Sequence, residues 1–251
     1  ANDGGGAEYI IVASGGTDDG GSYLDLALNQ AELIINGSVD ASQFGADSSL
    51  GDNLLPLQAL LNFSLDVTIK KVYLTSALIT MQENQTITST GGVLRASGVM
   101  SSVLVRASNT TVIGLEIDCN NTQPVSGVPV TSTGASAGMS FEDIKNTKTL
   151  KCKFTKYKNG VRVVSTATGT KCHSHSFIMC TADAGFSWPS SRSSNEQLGA
   201  YVGSVANPTV DSISDYGLYA NDCRDVYNIS FVNWSAYEGQ YGLALHRCSN
   251  V

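Results

Sequence analysis

The stretch "NTKTLKCKF", residues 146–154, sets Leu150, Cys152 and Phe154 at every second position, the period of a strand that turns one face inward. It has two matches in the chain. "NTTVIGLEI" (109–117) fits it through Ile113, Leu115 and Ile117, and "CRDVYNISF" (223–231) through Tyr227, Ile229 and Phe231. Glycine-led stretches also return, "GMSFED" at 138, "GVRVVS" at 160, "GFSWPS" at 185, "GLYAND" at 217 and "GLALHR" at 242, in steps of 22, 25, 32 and 25 residues. A unit of about 20 to 30 residues built from short strands and polar turns cannot bury its apolar face alone, whereas stacked units share one continuous core. The predicted architecture is all-β, a right-handed parallel β-helix. A leucine-rich horseshoe would need a Leu-x-x-Leu-x-Leu pattern that does not recur, and a β-sandwich gives no reason for one glycine-led strand to return at near-constant spacing.

Composition agrees. Among 251 residues 42% are hydrophobic and only 15% charged, which suits one large β domain with a small N-terminal extension. The formal net charge of -7 disfavours nucleic acid and would repel an acidic host-surface polymer at long range. No apolar run approaches the roughly 20 residues of a membrane span. The chain opens at Ala1 and stops at "HRCSNV" inside a repeat, so it reads as a fragment of a longer polypeptide. Cysteines 119, 152, 172, 180, 223 and 248 form no CxxC pair and no zinc spacing, and several recur at equivalent repeat positions. They are expected as buried free thiols. Neither a cofactor nor a metal is expected.

One segment before the repeats is helical in pattern. In "GDNLLPLQALLN" (51–62), Leu54, Leu57, Leu60 and Leu61 form one apolar stripe, Asp52 or Asn53 can serve as N-cap, and Pro56 lies in the first turn. A helix at about 52–62 would cover the open end of the first coil, whose apolar section and unpaired strand edges otherwise invite aggregation. Around it, Phe44-Gly45-Ala46, the Gly51-Asp52 turn, the helix and the following strand resemble the start of pectate-lyase-like β-helices, above all bacteriophage tailspikes and polysaccharide depolymerases. The "GDNLLP" helix start departs from the Asp-Asp-Thr frequent in that family. The resemblance spans residues 39–251 and implies the fold, while the superfamily contains lyases, hydrolases and non-enzymatic adhesins. Residues 1–38 lie outside it and read as a linker or neck: a short β-like run, "EYIIVA", then a helix with Leu24, Ala27, Leu28, Ala31 and Ile35 on one face, closed by Gly37.

Candidate chemistry concentrates where the repeat is broken. The 32-residue step from Gly185 to Gly217 carries Trp188, Arg192, Glu196, Tyr201, Asp211 and Asp215 in a Ser/Asn/Gly-rich loop. Glycan sites use an aromatic platform, and glycosidases two carboxylates roughly 5 to 9 Å apart. Trp188, Arg192 and Tyr201 are therefore candidate substrate-binding residues, and Glu196, Asp211 and Asp215 candidate catalytic carboxylates; a solvated loop or a subunit contact is the plainer alternative. Other polar groups read as structural. Glu116 and Asp118 are expected beside Lys153 and Thr155 on the next coil, with a Glu116–Lys153 pair. Asp222 and Asp225 belong to a turn, and His173 and His175 share a strand face without a carboxylate partner motif. Seven Asn-x-Ser/Thr triplets are the turn residues that such a fold uses in any case.

The resulting expectation is a virion-anchored tailspike or tail-fibre segment, its expected partners being two further copies in a homotrimer, phage tail or baseplate proteins through the N-terminal region, and host capsule or lipopolysaccharide. Cleavage of that polysaccharide is left open. A secreted pectate-lyase-like enzyme and a purely structural β-helix are the competing expectations, with no nucleic acid and no membrane in any of the three.

Overall fold

The computed structural model describes residues 8–12, 18, 23–26, 30–34, 37–120, 134–157, 159–165, 172–183, 198–202, 218–221, 226–232, 235–236 and 244–245. From Val39 onward the chain visits three sheets in turn. Sheet I takes Val39–Asp40, Asp66–Ile69, Thr86–Ser89, Thr111–Ile113, Lys145–Leu150, Cys172–Ile178 and Val226–Val232. Sheet II takes Val72–Thr75, Val93–Ala96, Glu116–Asp118, Lys153–Thr155, Thr181–Asp183 and Ser235–Ala236. Sheet III takes Ile79–Thr80, Met100–Val105, Ala135–Glu142, Asn159–Ser165, Leu198–Val202, Leu218–Asn221 and Ala244–Leu245. Within sheets I and II every described pairing is parallel, so each strand bonds to the strand one coil later. This is a parallel β-helix.

The core is a set of columns. Sheet I stacks Val67, Ile87, Val112, Thr149 and Phe177; sheet II stacks Tyr73, Leu94, Ile117 and Phe154; sheet III stacks Ile79, Leu104, Met139 and Val161. All are buried. Gly138 and Gly160 are adjacent in sheet III, and a Cβ on Gly138 would lie 2.6 Å from the Gly160 carbonyl oxygen and 2.8 Å from the Phe154 ring. That close approach is the physical reason for glycine at 138.

Left-handed residues turn the corners. Asn84 and Asn109 stand just before their sheet I strands, and Asn146 and Ser174 near the start of theirs, with φ of 63, 60, 56 and 62°; after the strands stand Gly91, Gly114, Lys151 and Met179, with φ of 91, 69, 52 and 56°. Asparagine is among the few side chains that tolerate this region, which accounts for the Asn-x-Ser/Thr triplets at Asn84 and Asn109. The same corners correct two expectations. Gly114 breaks the alternation of 109–117, so Val112 faces the core and Ile113 faces outward, while Leu115 and Ile117 are buried. Residues 226–232 form one uninterrupted strand, so Phe231 lies opposite Phe177 in register, and Leu150 is followed by Ile178 and then Val232. The proposed match of Tyr227, Ile229 and Phe231 with Leu150, Cys152 and Phe154 is displaced, because the latter set turns at Lys151. The match of 113 with 150 and 117 with 154 stands.

The capping helix, α1, runs Leu54–Phe63 and buries Leu57, Leu60 and Leu61 on the first coil. Asn53 occupies the N-cap position but turns its carboxamide oxygen to the Asp47 N–H at 2.8 Å. Asp52 instead accepts from the Leu54 N–H at 3.0 Å, and from the Ser76 N–H and hydroxyl. Gln58 accepts from the Thr80 N–H at 2.9 Å and donates to the Thr80 carbonyl at 3.0 Å, closing the edge of sheet III as a strand would. Phe44 packs on Phe63 with ring centroids 5.2 Å apart, and Gly45 ends the preceding 3₁₀ turn at φ 80°.

Burial raises the Asp52 carboxyl, but bonds from the Ser76 hydroxyl and the Leu54 and Ser76 N–H groups outweigh it and hold the group below its ordinary value of 3.8. A carboxyl lowered on folding stabilises the folded state above its unfolded value and loses that contribution as pH falls through the folded one. The melting-temperature advantage of the wild type over Asp52→Asn should therefore shrink toward zero as pH drops from about 6 to about 3. A constant difference across that range would refute the assignment.

The N-terminal segment departs from expectation. Tyr9–Val12, Tyr23–Asp25 and Gln30–Leu33 form a three-stranded antiparallel sheet, so Leu24 and Ala31 lie on strands opposite one another, not on a helix. Two helical turns are marginal alone, whereas the "YIIV" strand offers an edge that Gln30–Leu33 can pair. No helix among the described residues is long and apolar enough to cross a membrane.

A buried cation ties two coils together. Arg106, 2% exposed, lies between sheets III and I and directs all five N–H groups at neutral acceptors. Nε reaches Thr110 Oγ1 at 3.1 Å, Nη1 reaches Thr149 Oγ1 at 3.0 Å and Met139 Sδ at 3.6 Å, and Nη2 reaches the Thr110 and Lys148 carbonyls at 2.9 and 3.1 Å. Its guanidinium lies 5.1 Å from the centroid of Phe141, whose ring also meets His175 and Phe177 edge-on. Burial lowers the guanidinium to about 10, so it stays charged at neutral pH.

Candidate functional site

Of the residues expected to carry glycan chemistry, Trp188, Arg192, Glu196, Asp211 and Asp215 lie outside the described residues. Tyr201 is placed by its backbone. It sits on Leu198–Val202, which enters sheet III antiparallel to both neighbours, with Tyr201 opposite Arg162 on one side and Tyr219 on the other. The step between Gly185 and Gly217 is thus more than a lateral loop, because part of it returns as a strand between two coils. Beyond it the parallel pattern resumes, with Tyr219 opposite Ala244.

The described outer faces carry ion pairs. On sheet II the Glu116–Lys153 and Asp118–Thr155 register is as expected, yet the ion-pair centre is Asp118. It is buried and accepts from Arg95 Nε at 2.8 Å on the coil before, from Lys156 Nζ at 3.3 Å on the coil after, and from the Asn120 N–H at 2.8 Å. With two cations and an N–H against it, this carboxylate serves as a strut between coils. Glu116 accepts from the Thr155 hydroxyl at 3.4 Å. On sheet III, Glu142 binds Arg162 at 3.0 Å and the Ser140 hydroxyl at 3.0 Å. Sequence reasoning passed over Asp118 as the centre because Arg95 and Lys156 meet it only through the stacking of coils.

Cys119, Cys152 and Cys180 are free and buried, Cys119 is pushed up by burial, Cys152 is raised by its contact with Cys180 and by burial, and Cys180 is lowered by the same contact with Cys152. Cys172 lies on a sheet I strand, and Cys223 and Cys248 fall outside the described residues. His175 faces the core, its Nδ1 2.9 Å from Thr147 Oγ1. Among the described residues no three His, Cys, Asp or Glu side chains gather as a metal site would require.

The enzymatically active domain of tailspike protein 2 from bacteriophage CBA120 superposes with a TM-score of 0.52 at 12% identity, over 91% of this chain and 35% of that one. The chain has a tailspike β-helix fold. The full-length tailspike protein 2, from an Escherichia coli O157:H7 bacteriophage, gives a TM-score of 0.46 at 10% identity, over 91% of this chain and 31% of that one. This tailspike fold thus spans about a third of the length of the proteins it resembles. No protein-family model and no curated protein sequence matches the chain.

Proposed function

We propose that the chain is part of a bacteriophage tailspike or tail fibre, a virion adhesin that binds host surface polysaccharide, capsule or lipopolysaccharide, and depolymerises it. The observation that carries this reading is the fold likeness to a tailspike domain described as enzymatically active, over 91% of the chain. The broken repeat at 185–217 supports it, since it offers Trp188 and Tyr201 for the apolar face of a sugar, Arg192 for its polar edge, and Glu196, Asp211 and Asp215 as carboxylates on a rigid scaffold. Two of these carboxylates flank the scissile bond, one protonated and one ionised. The protein acts as a homotrimer held to the tail through its N-terminal region, where Ile10 and Ile11 are exposed on an edge strand.

Incubating full-length protein with host capsule or lipopolysaccharide, and following new reducing ends and unsaturated uronates, tests the activity and separates hydrolysis from elimination. Neither binding nor cleavage of any host glycan would overturn the reading. Trp188→Ala is expected to weaken glycan binding by about 1–3 kcal/mol with an unchanged melting temperature. A core tryptophan would do the opposite, lowering the melting temperature and sparing affinity. Both quantities measured on one preparation decide between the two.

A further inference from the structure

One coil is charged unlike the rest of the molecule. In a chain of net charge -7, residues 144–162 hold lysines at 145, 148, 151, 153, 156 and 158 and Arg162, and not one Asp or Glu. The fold wraps most of these around the outside of a single turn. Lys145 and Lys148 lie on the sheet I strand Lys145–Leu150, Lys151 at the following left-handed corner, Lys153 on sheet II, and Lys156 at the next left-handed position. Lys145, Lys148, Lys151 and Lys156 are exposed.

Two features separate this belt from a solvated face. Of the belt's cations, Lys156 pairs with Asp118 and Arg162 with Glu142. Lys148 stands between Thr111 on the coil before and Ser176 on the coil after, and among the described residues neither Lys148 nor Lys151 has a carboxylate partner. Beside them, Ile113, Leu150 and Ile178 stack in register on the outer face of sheet I, half-buried, and Met179 is 50% exposed. Unpaired ammonium groups, two hydroxyls and an aliphatic strip therefore share one face. Since about 3.3 Å per residue is the extended limit and Lys151 turns a corner, Lys148, Lys151 and Lys153 follow one another at no more than roughly 7–10 Å along the coil.

The geometry points to this lysine coil as a binding site for a polyanionic glycan, a polysaccharide bearing a carboxylate on its repeating unit. The ammonium groups take the carboxylates, the hydroxyls take the ring oxygens and hydroxyl groups, and the aliphatic strip takes the apolar face of the sugar. The overall negative charge is no bar, because at physiological salt a field is screened within about 8 Å and contact is governed by the local charge. A nucleic acid fits less well, since no aromatic side chain is exposed among the described residues of this face to stack a base. The inference rests on the adhesin reading and names the class of glycan for it.

The test uses the full chain with three probes: alginate as a soluble polyuronate, neutral dextran, and a single-stranded oligonucleotide, alongside the host glycan. Lys148→Gln/Lys151→Gln is compared with wild type and with Lys70→Gln, a lysine paired with Asp40 near the cap. Expected are tighter binding of alginate than of dextran, a loss of roughly tenfold in alginate affinity in the double variant only, and a weaker salt dependence. Lys148→Gln alone, with a smaller loss, serves if the double variant melts below wild type. Wild type that binds the host glycan but prefers neither alginate nor any acidic polymer, or a double variant that binds alginate as wild type does, overturns the inference and leaves the adhesin reading standing. Failure to bind the host glycan or any probe removes both. Equal binding of the oligonucleotide overturns the glycan assignment, and a changed sedimentation coefficient in the double variant reassigns the belt to a contact between copies.

Discussion

Phe141→Ala should lower stability by about 3–5 kcal/mol, read as a fall in the urea midpoint with little change in slope. The side chain is fully buried and serves three partners at once, with the Arg106 guanidinium 5.1 Å from its centroid and the His175 and Phe177 rings at 5.3 and 5.5 Å. Truncation opens a cavity in a column whose backbones are held in register by ladders on both sides, so the walls cannot collapse into it. Phe141→Leu, which refills most of the volume, should recover more than half of the loss. Equal losses for the two would mean that the ring's electrostatic contacts, and not its bulk, hold the site.

Arg106→Ala comes next, at about 3 kcal/mol. Two effects compete. Removing a buried cation relieves its desolvation, but five hydrogen bonds to two successive coils are lost, and the hydroxyls of Thr110 and Thr149 and the Lys148 carbonyl are left in a dry interior. The bonds win because every donor is satisfied, so little desolvation remains to be relieved. Arg106→Met keeps the volume and drops the charge, and should cost about half as much; a methionine variant as stable as wild type would show that the bonds contribute nothing. Coupling between the Arg106 and Phe141 truncations of about 1 kcal/mol would isolate the cation–ring contact.

The columns and the cap were legible in the sequence for a simple reason: each rests on a local period. The stripe of Leu57, Leu60 and Leu61 can serve only a helix laid on an apolar surface, and the 37-residue match of Ile117 with Phe154 follows from strand alternation. Where a corner interrupts a strand the pattern misleads. Tyr227, Ile229 and Phe231 alternate like Leu150, Cys152 and Phe154, but only the second set bends, and a bend at a lysine leaves no signature comparable to glycine's. Leu24 and Ala31 fit a helix face and a strand equally over so few residues, and pairing with "YIIV" decides. Arg106 was invisible because arginine reads as surface, and its acceptors Thr110, Lys148 and Thr149 come together only through stacking. The acid-free run at 144–162 was in plain view, masked by the overall charge. The expected catalytic and binding residues at 185–217 rest on composition alone, apart from the strand that carries Tyr201.

Arg106 also orders the steps of folding. Its own coil supplies only Thr110; its remaining oxygen acceptors, Lys148 and Thr149, arrive with the next pass through sheet I. Until that pass is laid down the cation has no place in a dry interior, so the coil that contains it stays open and the next one closes it. Because each strand waits for a partner a whole turn later, while α1 needs only local contacts, growth should run from the capped end toward the C-terminus, in the direction in which a ribosome delivers the chain.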